Sequence, residues 1–220
     1  MEMKRIIIIC EGETEQEFCK KILSNYFSPQ GIFLSAPKIK ASHGGIVHWN
    51  NIKQQISNHL RTETDAYVTT FIDYYGIEDR HEFPSWQQSK DILDKYQRIQ
   101  LIEQSMKADI DSTISNRFLP YIQLHEFEGL LFNNLDTFKF TIPPSELNIE
   151  ELQSILNTYD NPELINSGKD TSPSHRLSKI IKGYNKVVYG NILAENIGLT
   201  RIRSKCPHFN VWINQIENIN

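Results

Sequence analysis

The chain has 220 residues, of which 39% are hydrophobic and 10% aromatic, enough to bury a core and to exclude a disordered chain. Its 23 Lys and Arg stand against 27 Asp and Glu, and the formal net charge of -4 excludes a surface built for indiscriminate polyanion binding, though not a local basic patch. Three cysteines (Cys10, Cys19 and Cys206) have no paired spacing, which excludes a disulfide framework and a CxxC zinc pattern.

The apolar stretch after Lys4 and Arg5 is too short for a signal-peptide core, and no run approaches the roughly 18 apolar residues of a membrane span. A cytoplasmic protein with reduced thiols, away from membranes, is the expectation.

Lys4 to Cys10 reads as a strand buried on both faces, because four isoleucines in succession suit the inside of a parallel sheet. Gly12 turns the chain, and Thr14 is placed to cap a helix from about Glu15 to Tyr26 with Phe18, Ile22 and Leu23 on its buried stripe. Pro29 and Gly31 break that helix, and Ile32 to Ile39 is a weak strand. Ile46 to Leu60 carries Ile46, Trp49, Ile52, Ile56 and Leu60 at helical spacing, and AYVTTFID is a second buried strand ending at Asp73. Asp91 to Asn116 is a long polar helical stretch. FLPYIQLH predicts a third strand, ending at His125 and Glu126. Beyond Pro143 the chain reads as helices and loops, closed by an amphipathic helix in HFNVWINQIENI. The order is that of an α/β fold, with a mostly parallel central sheet flanked by helices over residues 1–140 and a helical C-terminal extension over 141–220.

Each of the three apolar strands ends in acid: Glu11, then Asp73, then Glu126 and Glu128. Ligands of open α/β sheets bind at the carboxyl ends of the strands, so acids distant in sequence can meet in one crevice. Their hard oxygen donors suit Mg²⁺, or Mn²⁺ in its place. The bland reading of any one of them is an acid that caps a helix or faces solvent.

Strand, EGETE, helix, and a later strand ending in an Asp motif resemble the Toprim domain of topoisomerases, primases and overcoming-lysogenization-defect nucleases. More closely, CEGETEQEF, TTFIDYYGI with EFPSW, RFLPYIQLHEFEGLLF, TSPSHRL and IRSKCPHFNVW resemble a bacterial family labelled domain of unknown function 4276. These stretches span nearly the whole chain, and HEFEGLLF is far more specific than EGETE.

The resemblance implies a Toprim-like, Rossmann-like fold and a family found in mobile and anti-phage defence neighbourhoods, often beside an ATPase. It matches Glu11 to the first Toprim acid, Glu15 to the second acid of that motif, and Asp73 to the first Asp of Asp-x-Asp. The second Asp position is Tyr75, a poor Mg²⁺ ligand, so Glu126 or Glu128 is the candidate replacement.

Further along, His43 with Gly44 and Gly45 is either a phosphate-binding loop or a plain turn. His125 is either a proton shuttle or metal ligand, or a structural hydrogen-bonding group. Tyr74 and Tyr75 either stack on a base or ribose or pack under a loop. Arg176, Arg201, Arg203 and Lys205 are either phosphate contacts or a salt-bridged surface, and Arg201 and Arg203 are read as alternating in a short extended stretch. Cys206 and His208 lack the third partner of a nucleophilic site.

Together these features predict a divalent-metal-dependent nuclease acting on DNA, or on RNA such as tRNA, with an ATPase partner. Glu11, Glu15, Asp73 and Glu126 or Glu128 would serve the metal, and His43, Tyr75, His125, Arg176, Arg201 and Arg203 the substrate. An inactive nucleic-acid-binding or sensor subunit is the alternative, and an oligomer is compatible with both.

Overall fold

The structure is a computed structural model and describes residues 3–40, 45–165 and 168–219. Contacts divide the chain into two compact units, Met1–Gln123 and Leu124–Asn220. Among the described residues no helix is long and apolar enough to cross a membrane.

The first unit is a parallel sheet with helices on it. Strand β1 (Lys4–Cys10) lies between β2 (Ile32–Ser35) and β3 (Ala66–Asp73), and β3 pairs on its far side with two short strands, β4 (Phe118–Leu119) and β5 (Ile122–Gln123). All the pairings are parallel. A strand with neighbours on both sides and helices above and below has no wet face, which is why Ile6 to Cys10 are all buried.

The third expected strand is interrupted. Pro120 cannot donate to a ladder, and β4 and β5 lie on either side of it instead of forming one continuous strand. Tyr121 spans the break, its N–H donating to Thr70 Oγ1 at 3.1 Å while the Thr70 hydroxyl donates to Tyr121 O at 2.8 Å.

Helix α1 (Glu13–Phe18) follows β1, passes through a π-helical turn at Cys19–Leu23 and ends as α2 (Ser24–Phe27). Its N-cap is Gly12, not Thr14; Thr14 lies inside the helix and is buried. Helix α3 (Trp49–Thr62) starts three residues later than the periodicity predicts and buries Trp49, Ile52, Ile56 and Leu60 as expected. The long polar stretch from Asp91 to Asn116 is α-helical only over α5 (Lys95–Ala108), capped by the Asp94 side chain accepting from Gln97 N, and is preceded by a short helix, α4 (Trp86–Ser89).

The second unit opens with a buried 3-10 turn, Phe127–Leu131, followed by α6 (Leu135–Thr141), α7 (Ile149–Thr158), α8 (Pro173–Ile180), α9 (Lys186–Ile197), α10 (Leu199–Lys205) and α11 (Pro207–Glu217). The segment holding Arg201 and Arg203 is therefore helical, not extended. Residues two apart on a helix point to different sides, so the shared direction expected of those two arginines is lost.

Candidate functional site

β1 and β3 run parallel in register, with Cys10 level with Phe71, so their last residues emerge at the same edge of the sheet. Glu11 N donates to Phe71 O at 3.0 Å and carries the pairing one residue past the strand. The Glu11 carboxylate then turns back: Oε2 accepts from the backbone N–H of Asp73 at 2.9 Å. Its Oε1 faces Gly76, where an added Cβ would lie 3.3 Å away.

Asp73 is itself buried and paired in register with Gln123 of β5. Two acids 62 residues apart are thus joined at neighbouring strand ends. The carboxylate of Glu15 is also buried and accepts from Gly12 N at 2.9 Å, the return half of a capping box whose other half glycine, without a side chain, does not supply.

The aromatic residues beyond Asp73 divide. The Tyr74 ring packs 5.5 Å from Trp86, and its hydroxyl accepts from Arg98 Nη1 at 3.2 Å, whereas Tyr75 is 41% exposed. His43 lies outside the described residues.

The remaining candidates belong to the second unit. His125 is buried with a left-handed backbone, φ 67°. Glu126 accepts from Ser174 N at 2.9 Å and from Ser174 Oγ at 3.0 Å, so it serves the first turn of α8. Glu128 is 0% exposed, and its Oε2 lies 3.2 Å from Lys186 Nζ. The Tyr184 phenol is held in its protonated form, first by burial and then by the negative charge of Glu128.

Arg176 donates from Nε to Thr171 O at 2.8 Å and covers the Tyr159 ring at 5.7 Å, and Arg201 donates from Nε to Asn133 Oδ1 at 3.0 Å. Arg203 is fully engaged: Nη1 and Nη2 meet the Glu217 carboxylate at 2.6 and 2.9 Å, and Asn210 and Asn214 take further bonds.

A match to the sequence profile described as "Domain of unknown function (DUF4276)" covers residues 10–217. The chain belongs to the DUF4276 family. No curated protein and no solved structure matches it. In this DUF4276 member, then, the site stands on its own geometry. Among the described residues no group of three or more His, Cys, Asp or Glu side chains is placed to hold a metal ion. Mg²⁺ does not need such a cage, since it is commonly held by one or two carboxylates together with waters and substrate phosphates. Glu11 and Asp73, at the ends of neighbouring strands, carry the hard oxygen donors that such chemistry uses, although the bond between them runs through the Asp73 backbone N–H and not its carboxylate.

Sequence reasoning missed Gly76, Tyr184 and Lys186. The first gives no signal beyond a common turn glycine. The other two, Lys186 at the start of α9 and Tyr184 in the turn before it, meet Glu128 only in the folded chain, which no spacing in the sequence encodes.

Proposed function

We propose that this DUF4276 protein is a Toprim-like, divalent-metal-dependent nuclease. The observation that carries the reading is the junction of Glu11 and Asp73 at the carboxyl ends of two adjacent parallel strands, where open α/β sheets take their ligands.

Glu11 and Asp73 would hold Mg²⁺ or Mn²⁺, which supplies a Lewis acid that polarises a phosphodiester oxygen and neutralises the charge that develops on it. The Asp73 N–H fixes Glu11 Oε2, so the carboxylate meets substrate already oriented. Glu15, anchored on Gly12 N, orients a water on the same edge of the sheet. The reaction class is hydrolysis: water adds to phosphorus, the P–O ester bond breaks, and the leaving oxygen takes a proton.

The Nε bonds of Arg176 and Arg201 set their guanidinium planes, and their terminal nitrogens are the phosphate donors of the proposal, while Arg203 braces α10 against α11. DNA and RNA such as tRNA are both in the substrate class. The likeness to defence-associated families supports an ATPase partner that releases the activity.

A second reading is an inactive nucleic-acid-binding subunit. It is favoured by Tyr75, which occupies the second Asp position of the Toprim pattern and turns a phenol to solvent.

The deciding experiment incubates the protein with labelled plasmid, single-stranded DNA and total tRNA, in Mn²⁺ and in EDTA, alongside Glu11→Gln. Cutting of one substrate that disappears in EDTA and in the variant is the expected result. Tight binding without cutting, unchanged by EDTA, overturns the nuclease reading in favour of the second.

A further inference from the structure

The chain leaving α8 runs back along the chain that enters α7. Asn148 N donates to Ile180 O at 2.8 Å and Lys182 N to Glu146 O at 2.9 Å, an antiparallel clip around the pair of Leu147 and Ile181. The clip sets Glu146 opposite Lys182, while Lys179 lies in the last turn of α8. Leu147 and Ile180 are buried, so the clip has an apolar base.

A cavity of about 430 Å³ opens against this clip, and its polar lining is Ser145, Glu146, Asn148, Lys179 and Lys182. Sites that take small ligands run from roughly 300 to 1,000 Å³ and combine apolar surface with a few placed polar groups. Two ammoniums stand here against one carboxylate, and among the described residues neither lysine is held in an ion pair. Asn148 commits its Oδ1 to Glu151 N at 3.1 Å as the cap of α7, which leaves its amide NH₂ as a donor. These donors suit a phosphate monoester, which carries a charge of about −1.5 to −2 near pH 7.

Glu146 does not suit a bare phosphate, since like charges repel. Its carboxylate, which also receives the Tyr189 hydroxyl at 3.5 Å, is an acceptor for a sugar hydroxyl or a base amino group. Volume and charge pattern together fit a phosphate joined to a neutral body that carries hydroxyl or amino donors.

We propose that this cleft in the second unit is a mononucleotide site, in which Lys179 and Lys182 take the phosphate and Glu146 takes a hydroxyl or amino group of the nucleoside. The site draws on neither Glu11 nor Asp73, and on no metal.

The test is titration calorimetry of the whole protein in EDTA, with AMP, GMP, CMP, UMP and inorganic phosphate in turn. At least one nucleotide should bind, and more tightly than phosphate. Lys179→Met and Lys182→Met together should weaken that nucleotide at least about tenfold, because charge-assisted hydrogen bonds are the stronger kind. Both lysines are exposed, so a thermal melt should match the parent, and each single variant should show part of the loss. Glu146→Gln should weaken the nucleotide but not phosphate, which is freed of a repulsion. Glu11→Gln should bind like the parent.

The proposal is overturned if no nucleotide binds at up to about 1 mM, or if binding survives the loss of both lysines. A loss of nucleotide binding in Glu11→Gln also overturns it, by placing the nucleotide at the strand ends instead.

Discussion

Glycine at position 76 is the residue on which the Glu11 geometry depends. A Cβ there would sit 3.3 Å from Glu11 Oε1 and 3.7 Å from Ile46 Cγ2, so the carboxylate must retreat by a few tenths of an ångström. Gly76 does not have a positive φ, so alanine adds no backbone strain and the cost in stability should stay under about 1 kcal/mol. Gly76→Ala is therefore expected to weaken Mn²⁺ binding several-fold while leaving the melting temperature nearly unchanged. Titration calorimetry beside a thermal melt checks both halves. At this scale the sequence exposes acids well: Glu11 and Asp73 stand out because each ends an apolar run. It does not expose what holds them, since the Asp73 N–H and the bare face of Gly76 become partners of Glu11 only when β1 and β3 lie side by side.

Two helices in the second unit begin on glutamates supplied from elsewhere in the chain. Glu126 serves the start of α8, and Glu163, wholly buried, accepts from His208 N and Phe209 N at 2.9 Å each at the start of α11. These amides are among the four that every helix leaves without an internal partner, and a carboxylate is also the charge its N-terminus prefers. Glu163→Ala strands two amides out of water's reach and is expected to cost about 2–4 kcal/mol. Glu163→Gln keeps one acceptor and should cost less. Urea unfolding of the two variants measures the difference, and equal costs would mean that the carboxylate is not the cap. The amphipathic pattern of α11 was legible, as was the buried stripe of α3, because a 3.6-residue period depends only on local sequence; of the stripe expected in the first helix, Phe18 and Leu23 are buried but Ile22 is half-buried in the π-helical turn. The caps were not: Cys206 precedes Pro207 with no capping side chain of its own, and the substitute lies more than forty residues upstream.

The whole molecule should lose stability on mild acidification through a buried imidazole in the first unit. His81 Nδ1 accepts from Glu78 N at 2.9 Å, which requires that nitrogen to be unprotonated. Burial holds the pKa of His81 below the usual histidine value, helped by the charge of Arg80 and by His48 and opposed by Glu78. Because the folded pKa lies below the unfolded one, the unfolded chain takes up a proton first as pH falls from about 6.5 toward the folded value. Stability is therefore greatest above that window and declines within it. Urea midpoints at pH 7.5 and 5.5 should show the decline in the natural protein and a smaller one in His81→Gln, and equal declines would remove His81 from the account.

At this same scale the sequence determined the fold class. Two strands buried on both faces, with helices between them, admit little but a parallel sheet, and a parallel pair delivers its strand ends to one edge. Only the tertiary structure decided the rest. It wound Arg201 and Arg203 into a helix, and set Arg203 on Glu217 and Lys186 on Glu128. The physical reason is that burial of apolar side chains repeats with a local period, whereas the partner of a charge is chosen by whichever element packs against it.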